Sequence, residues 1–330
     1  MKNRIVIIGS NMNYNLEHFI QRAFVKSGHE VKFIGFKNEF SKHYFEYIRM
    51  LSSRSYIFRN ISSPFWLKKL NDIYFEGISS FSPDLVLSIK GETLAPKTLK
   101  KIEKELGIKT MLWYPDDPRF FKPLVRHISP HYDKIFTCSH NALEIYRSIG
   151  VDNAKRIPFG CDSEIHNDNS NGVPMINKAL FIGAFSAKRY RFIRSLVNEG
   201  IPIDIVGPHW PPIMLKNVIS KGLFGKQYIE YIKKYSVILN LHQDINYGPN
   251  MRTFEVTGSG GILLSDSAED ISSFFSDREE IYIYNDINEA KKLINEILRG
   301  EINREKMSKK AHYTCHMKYS YERRAMEILM

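Results

Sequence analysis

Short apolar runs alternate with segments of helical periodicity along most of this chain. Runs of about four to eight apolar residues have the length of buried strands, and between them apolar side chains recur every three or four positions. This alternation is typical of a parallel sheet with crossover helices. The strands predicted in the first half are Arg4–Ile8, Glu30–Gly35, Asp84–Ile89, Lys109–Tyr114 and Lys134–Cys138. The helices predicted there are Leu16–Lys26, Ser41–Ile61, Pro96–Leu106 and Asn141–Ile149.

A polar stretch between Cys161 and Asn177 interrupts this pattern and predicts a linker, after which a second alternating series begins. Its predicted strands are Ala179–Gly183, Ile203–Gly207, Val237–Leu241, Gly261–Ser265 and Ile281–Tyr284. Its predicted helices are Arg189–Glu199, Tyr228–Lys234, Met251–Val256, Ile287–Leu298, Arg304–His316 and Tyr321–Met330. We therefore expect an α/β protein of two Rossmann-like, doubly wound parallel-sheet domains, residues 1–165 and 166–316, with a helix (317–330) that packs back on the first. Ligands would bind in a central cleft at the carboxyl ends of the strands.

The composition is that of a globular protein of two domains. The chain has 330 residues, of which 43% are hydrophobic and 25% charged. No apolar run approaches the roughly 20 residues of a transmembrane helix. The three cysteines, Cys138, Cys161 and Cys315, have neither a metal-ligand spacing nor the pattern of a disulfide framework. We expect a cytoplasmic protein with free thiols and no bound metal.

The chain is basic, with a formal net charge of +11. Such a balance suits nucleic acid, an anionic membrane or an anionic substrate. The basic residues are scattered in pairs and form no dense arm, so specific nucleic-acid binding is not expected. Peripheral contact with anionic lipid headgroups remains open, and so does the oligomeric state.

The hexapeptide Asn250–Glu255 is the strongest candidate for a binding site. Arg252 and Glu255 are three positions apart, so they share one face of a helix. Arginine suits a phosphate, the carboxylate suits ribose hydroxyls, and glycines let the backbone approach a ligand closely. The glycines that follow the hexapeptide are Gly258, Gly260 and Gly261. A surface ion pair before a loop is the simpler alternative.

A basic loop after the first strand of the second series offers a second contact for an anion. Lys188, Arg189 and Arg191 follow Gly183 at the start of a helix, where backbone N–H groups attract phosphate. The three cations diverge on a helix, so they cannot all point inward. The alternative is a solvated helix start.

Two further loops of the second domain lie at the same predicted edge. The loop from Gly207 to Trp210 offers an aromatic ring that could stack on a base or sugar, or form a buried turn. His242 follows a predicted strand and would line the same cleft.

In the first domain, Asp116 and Asp117 lie between two prolines at the end of a strand. Adjacent carboxylates repel one another, so one of them can have a raised pKa that suits proton transfer to or from an acceptor hydroxyl. The alternative is an aspartate that caps the next helix. His140 follows the next strand and is the histidine that we favour for an acceptor or phosphate contact.

The loop after the first strand has a single glycine, so it lacks the G-x-G-x-x-G fingerprint of nicotinamide enzymes. Its residues Ser10 and Asn11, together with Gly91 and Glu92 after a later strand, are candidates to contact an acceptor. A simple strand-to-helix turn is the alternative.

Several of these motifs together resemble one protein family. The motifs are Asp84–Leu87 with Gly91, Trp113–Pro118, Tyr132–Thr137, Pro158–Gly160, Phe181–Gly183, Leu239–His242, Asn250-x-Arg252-x-Phe254-Glu255 with the glycines that follow, and Tyr321-x-x-Arg324. The chain resembles the CgeB-like glycosyltransferases (spore maturation protein group), a branch of the GT-B superfamily. The resemblance is specific over the last two-thirds of the chain and generic over the first 80 residues.

The resemblance implies a hexosyltransferase-like enzyme of polysaccharide biosynthesis that transfers sugar from a nucleoside-diphosphate sugar, with a UDP-sugar favoured. It implies a retaining reaction without a cofactor or required metal, and a glycan, lipid-linked or protein acceptor. Glu255 would hold the ribose, and Arg252 with Arg189 or Arg191 the diphosphate; Asn250, His242 and the glycines would complete the donor site. Many such enzymes carry a second glutamate where this chain has Tyr247. The missing glutamate favours a non-catalytic nucleotide-sugar-binding module as the alternative, and a GT-B-fold epimerase or phosphorylase is a second alternative.

Overall fold

The fold is taken from a computed structural model that describes residues 2–10, 15–36, 56–118, 121–167, 176–243 and 247–330. Side chains are described within these ranges except at residues 56–65, 122–123 and 215. Asn11 and residues 41–55 of the predicted helix Ser41–Ile61 lie outside the described residues.

The first sheet has six parallel strands. They are β1 (Arg4–Gly9), β2 (Glu30–Gly35), β3 (Leu85–Ile89), β4 (Lys109–Tyr114), β5 (Lys134–Thr137) and β6 (Ala154–Arg156). Their spatial order is β2-β1-β3-β4-β5-β6. The helices are α1 (Leu16–Lys26), α2 (Tyr56–Phe81), α3 (Pro96–Lys101), which continues as a π-helical turn to Leu106, and α4 (His140–Ser148), with short helical turns between residues 121 and 131.

The second sheet also has six parallel strands. They are β7 (Ile176–Ile182), β8 (Ile203–Val206), β9 (Val218–Ser220), β10 (Tyr235–Asn240), β11 (Leu263–Asp266) and β12 (Tyr282–Tyr284), in the order β12-β11-β10-β7-β8-β9. Its helices are α5 (Ala187–Asn198), α6 (Gly225–Lys234), α7 (Met251–Gly258), α8 (Ile271–Phe274), α9 (Ile287–Leu298), α10 (Arg304–Tyr319) and α11 (Tyr321–Leu329). No helix in the described part of the chain is both long and apolar enough to cross a membrane.

Each sheet reverses its strand order at one point, and this positions the loops of interest. In the first sheet β1 lies between β2 and β3, and in the second sheet β7 lies between β8 and β10. Ligands of doubly wound folds bind outside the carboxyl ends of the two strands at such a switch point. Ligand-binding residues are therefore expected in the loops after β1 and β3 and in those after β7 and β10.

The chain divides into two compact units. One comprises Met1–Ile157 with Glu327–Met330, and the other comprises Pro158–Met326. The linker composition places the boundary at residue 165. The contacts place it earlier because Cys161 pairs with the segment between α10 and α11: its N–H donates to the Tyr319 carbonyl (2.9 Å), and its carbonyl accepts from the Tyr321 N–H (2.9 Å).

The predicted α/β fold with two doubly wound parallel sheets is confirmed. Strands β6 and β9 and the one-turn helix α8 were not predicted, and helix α2 differs from its prediction. Strands β6 and β9 have three residues each and half-buried or exposed side chains, so no apolar run marks them. Helix α2 continues to Phe81, far beyond the predicted end at Ile61. Its apolar residues do not form one stripe along the sequence, and this hides the helical period.

Candidate functional site

Helix α7, which follows β10, is fixed at its first turn by an asparagine. The Asn250 side-chain oxygen accepts a hydrogen bond from the Thr253 N–H (3.3 Å). Its amide donates to Asn240 Oδ1 (3.0 Å), and the Asn240 amide lies 3.3 Å from Thr253 Oγ1 and 3.2 Å from Ser265 Oγ. An N-cap bonded in this way ties the start of α7 to the carboxyl ends of β10 and β11.

Arg252 and Glu255 meet on one face of α7, as their spacing predicts. Arg252 Nη1 lies 3.5 Å from Glu255 Oε2, and the side chains are only 22% and 12% exposed. The Tyr228 hydroxyl, from α6, donates to Glu255 Oε2 (2.7 Å) and accepts a hydrogen bond from Arg252. The guanidinium also lies over the Tyr228 ring, 5.2 Å from its centroid. One hydroxyl thus links the cation to the carboxylate.

This burial has electrostatic consequences for Tyr228 and Arg252. Burial raises the pKa of Tyr228 well above its usual value, so the hydroxyl stays protonated and can donate. Burial lowers the pKa of Arg252, but Tyr228 and Glu255 raise it by more, and the guanidinium stays charged.

A second cluster lies at the carboxyl ends of β10 and β11 and includes Lys188 from the first turn of α5. Lys188 Nζ donates to the His242 carbonyl (2.7 Å) and lies 3.6 Å from Asp266 Oδ2. Asp266 also accepts the His242 N–H (3.0 Å) and lies 2.5 Å from His242 Nδ1. His242 Nε2 accepts the Asn250 N–H (3.2 Å), so the neutral tautomer with a proton on Nδ1 satisfies both ring nitrogens.

Arg189 carries a second partly buried guanidinium in this unit. It donates to the carbonyls of Ala184 (3.1 Å) and Leu241 (3.4 Å), so it spans the loops that follow β7 and β10. Within the described parts of the chain, no acceptor meets its buried Nε. Burial lowers the pKa of Arg189, Arg252 lowers it further, and Asp266 opposes the shift. Two guanidinium groups are therefore close enough to repel each other. Arg191, two residues further along α5, is exposed.

The predicted Gly183 and Gly207 loops pack against each other. A Cβ on Gly207 would lie 2.0 Å from the Gly183 carbonyl oxygen, so only glycine permits this approach. The same oxygen accepts a hydrogen bond from Trp210 Nε1 (3.0 Å). Trp210 is only 6% exposed and packs edge-on against Phe181. Of the two alternatives for this loop, the structure has the buried turn.

Packing also explains the glycines at the end of α7. A Cβ on Gly258 would lie 2.6 Å from Cys161 Cβ, and one on Gly261 would lie 2.4 Å from Ile232 Cγ2. Gly260 has a φ of +71°, which favours glycine. The Gly258 carbonyl oxygen lies 2.7 Å from His312 Nδ1 and 2.9 Å from His316 Nε2. These glycines let the end of α7 pack closely against α10, Cys161 and α6.

In the first unit, Asp117 is buried, with only 2% of its surface exposed. The Tyr146 hydroxyl donates to its Oδ2 (2.7 Å). Burial raises the pKa of the Asp117 carboxyl to about 7, although the hydroxyls of Tyr146 and Thr137 oppose the shift. The raised pKa that the sequence suggested for one member of the pair belongs to Asp117.

Asp116 and the loop after β3 form a separate, more exposed group at the first switch point. Lys90 Nζ lies 2.5 Å from Asp116 Oδ2. Burial lowers the pKa of Lys90, but Asp116, Glu92 and Glu17 raise it by more, so several carboxylates surround this one amine. Gly91 has a φ of +63°, and a Cβ there would lie 2.8 Å from Leu112 Cδ1.

The remaining predicted residues of the first unit lie apart from this group. The Ser10 N–H donates to Glu17 Oε1 (3.0 Å), and its hydroxyl bonds the same carboxylate, so Ser10 closes the turn from β1 to α1. His140 is exposed at the first turn of α4, whose N-cap is Ser139.

The structure thus brings together six predicted residues at the carboxyl ends of the strands of the second sheet: Lys188, Arg189, His242, Asn250, Arg252 and Glu255. Sequence reasoning did not select Tyr228, Asp266, His166 or, in the first unit, Lys90 and Glu17. Asp266 had a signal, because it is the polar last residue of a buried strand. Tyr228 and His166 had none. Burial lowers the pKa of His166, and Glu255 and Arg252 both act on it electrostatically. No group of three or more potential metal ligands occurs among the described residues.

The cluster falls inside a segment that matches a known family. Residues 188–330 match the Glycosyl transferase-like family. The glycosyl transferase-like segment covers less than half of the chain, and it includes Lys188, Arg189, Arg252 and Glu255. No curated protein matches the chain in sequence.

Solved structures extend the likeness to both units. A glycosyltransferase from Rickettsia africae ESF-5 has a TM-score of 0.66 at 13% identity, over 99% of this chain and 97% of that chain. Anabaena HepE in complex with UDP-glucose has a TM-score of 0.65 at 10% identity, over 99% of each chain. A putative UDP-N-acetylglucosamine 2-epimerase from Listeria monocytogenes has a TM-score of 0.56 at 13% identity, over 100% of this chain and 95% of that chain. At these identities the likeness shows the fold, and the expected GT-B fold is confirmed.

Proposed function

We propose that this protein is a glycosyltransferase of the CgeB-like branch that takes a sugar from a nucleoside-diphosphate sugar bound by its second unit. One observation carries the proposal. Two partly buried guanidinium groups, Arg189 and Arg252, follow the two strands of the switch point in the second sheet and act on each other electrostatically, and Arg252 lies 3.5 Å from the Glu255 carboxylate. Like charges repel each other, and a ligand with several negative charges can bind both guanidinium groups at once, so the pair is suited to such a ligand.

The diphosphate would lie against Arg189, Arg252 and the first turn of α5. As the bond between sugar and diphosphate breaks, negative charge grows on the leaving group, and fixed cations stabilise that charge more than they stabilise the bound substrate. Lys188 would contribute less, because its ammonium group already faces Asp266 and the His242 carbonyl. Glu255, fixed by Tyr228, would accept hydrogen bonds from the ribose hydroxyls.

We propose a UDP-sugar as the donor, by analogy with the fold neighbour whose structure holds UDP-glucose. A retaining, hexosyl transfer follows from the resemblance to the CgeB-like group. A divalent ion is not needed in this scheme, because the arginines supply the positive charge that a metal would otherwise provide.

On the acceptor side, the geometry separates the candidate residues. Asp117 is enclosed and bonded to Tyr146, so we give it a positioning role. The Asp116 side chain is 39% exposed, and His140 is exposed. We therefore assign the contact with an acceptor hydroxyl of a glycan, a lipid-linked sugar or a protein to these two groups.

The decisive experiment compares two arginines on the same helix. Arg189→Ala removes the inward guanidinium, whereas Arg191→Ala removes the same charge from an exposed position and serves as the matched control. Loss of hydrogen bonds to a charged ligand costs about 1.5–3 kcal/mol, so Arg189→Ala should weaken UDP binding roughly 10- to 100-fold. Arg191→Ala should change it less than about twofold. Isothermal titration calorimetry measures both, with Arg189→Lys as a second variant if the alanine protein is unstable.

Equal affinity of the two variants for UDP would show that the diphosphate does not bind at this cluster. Mass spectrometry of UDP-sugars incubated with candidate acceptors, with EDTA or Mn²⁺, then separates the activities. Transfer that survives EDTA supports the proposal. Interconversion of nucleotide sugars without an acceptor would instead indicate an epimerase, the activity named for one fold neighbour. Binding without any turnover would indicate a non-catalytic module.

A further inference from the structure

The second unit carries an unusual combination of exposed apolar and basic residues around strand β9, at the edge of its sheet. From residue 205 to residue 229 the chain has three lysines and no acidic residue. We call six exposed residues of this segment the edge patch: Ile213, Lys216, Ile219, Lys221, Phe224 and Lys226.

The apolar members of the edge patch are strongly exposed. Ile213 is 62% exposed, Ile219 43% and Phe224 66%. They are three of the nine large apolar residues that are exposed in the described part of the chain, and they fall within twelve consecutive positions. Single exposed apolar side chains are ordinary, but a local concentration of them marks an interaction surface.

The edge patch is held on a fixed frame. Trp210, Met214 and Tyr228 are all less than 10% exposed and anchor the segment to the core on both sides of β9. Strand β9 pairs with β8, and the Gly207 N–H donates to the Ser220 carbonyl (2.9 Å). The apolar side chains are thus presented outward by a segment that is itself packed.

The lysines of the edge patch indicate the kind of surface that it binds. Apolar side chains that reach into an acyl boundary, surrounded by cations that attract anionic headgroups, are the two components of peripheral membrane binding. A second copy of the chain fits poorly, because a symmetric contact would place the three lysines of one copy against the three lysines of the other. Three apolar side chains are also too few for the roughly 1,200 Å² or more that a stable protein interface buries.

We propose that the edge patch docks the protein on an anionic membrane surface, with Ile213, Ile219 and Phe224 inserted and Lys216, Lys221 and Lys226 at the headgroups. This binding goes beyond sugar transfer and does not depend on it, because none of the six residues is among the proposed donor contacts, which are Lys188, Arg189, Arg252 and Glu255. It would place the second unit at a bilayer, where lipid-linked acceptors reside.

The test is flotation of the full chain with phosphatidylcholine vesicles that contain or lack phosphatidylglycerol. The wild-type protein should float with the anionic vesicles and not with the neutral ones. Each lysine near such a surface contributes about 1 kcal/mol, or roughly fivefold, so the variant with Lys216→Glu, Lys221→Glu and Lys226→Glu should lose at least about 100-fold in affinity. The variant with Ile213→Ser and Phe224→Ser keeps every charge and should lose about tenfold or more.

A matched control uses lysines elsewhere on the protein. A groove of about 830 Å³ between α2 and α3 is lined by five exposed lysines, among them Lys68, Lys97 and Lys104. Changing these three to glutamate alters the net charge by the same amount, and this variant should keep most of the vesicle binding. UDP affinity, measured in parallel, should be unchanged in all variants, so a failure here is separable from a failure of the proposed function.

Three outcomes would overturn the proposal. The first is equal binding of wild-type protein and the edge-patch variants to anionic vesicles. The second is an equal loss in the groove variant, which would attribute binding to net charge alone. The third is absence of vesicle binding together with self-association that the serine variant abolishes, which would assign the patch to a second copy of the chain.

Discussion

At the scale of single residues, the carboxyl group of Asp117 shows how burial sets a charge state. Its pKa is raised to about 7, mainly by burial. A carboxyl group with a raised pKa in the folded state stabilises the protein below its unfolded pKa, and this stabilisation is lost as the pH rises through the folded pKa. The fold therefore becomes less stable between about pH 4 and pH 7 on account of this residue.

Replacing Asp117 by asparagine should remove this pH dependence. The amide oxygen can still accept the Tyr146 hydrogen bond, but the side chain no longer ionises. Relative to the wild-type protein, Asp117→Asn should gain about 3 kcal/mol between pH 5 and pH 8, because most of the interval between the ordinary pKa near 4 and the folded pKa of about 7 lies in this range. Urea denaturation at a series of pH values measures the difference. A constant difference between the two proteins across this range would show that Asp117 titrates normally.

The cluster around Arg252 and Glu255 was only partly predictable at this scale. Arg252 and Glu255 could be paired from their spacing alone, because residues three apart on a helix are neighbours. Tyr228, which joins them, comes from another helix 24 positions earlier, and no local rule indicates that contact. Similarly, three cations in the Lys188–Arg191 segment could be proposed as ligands, but only packing shows that Arg189 points inward and Arg191 outward.

At the scale of elements, helix α7 is positioned by the residue at its end. Gly258 lies against Cys161, and the thiols of Cys161 and Cys315 lie within 3.2 and 3.5 Å of where its Cβ would be. An added methyl group must therefore displace α7, the helix that carries Arg252 and Glu255.

Gly258→Ala should destabilise the second unit by about 1–3 kcal/mol through overpacking and should also weaken UDP binding. Gly300→Ala is the comparison, since Gly300 has a φ of +76° and open space around it. That change should cost about 1 kcal/mol from backbone strain and leave UDP affinity unchanged. Chemical denaturation and calorimetry give both quantities. If the Gly258 variant bound UDP as the wild-type protein does, α7 would tolerate the displacement.

Elements with a clear apolar period were predicted well, and those without one were not. Strands β1, β3, β4 and β10 are apolar runs with fully buried interiors, so their pattern alone identifies them. The edge strand β9 takes its conformation from pairing with β8 and not from its own three residues. Tertiary contacts of this kind are invisible to a local reading of the sequence.

At the scale of the whole molecule, each unit has its own sheet and its own buried core. A ligand held by one unit therefore stabilises that unit in particular. UDP at about 100 times its dissociation constant should stabilise the second unit by about 2.7 kcal/mol, which slows amide exchange through its unfolding about 100-fold. Hydrogen exchange followed by mass spectrometry should show this protection in peptides of residues 158–326. Protection concentrated around Lys90 and Asp116 would instead place the nucleotide in the first unit.

The hydroxyl of Tyr228 has a consequence for turnover. While the site is empty, Arg252 keeps a neighbour of opposite charge and a shared hydrogen-bonding partner. In the transferase that we propose, the diphosphate of the donor replaces Glu255 as the counter-ion of Arg252 when it binds. When the nucleotide product dissociates, the guanidinium pairs with Glu255 again, so its charge is not left unpaired in a low-dielectric pocket. This internal counter-ion lowers the affinity for the donor and speeds the dissociation of the nucleotide product.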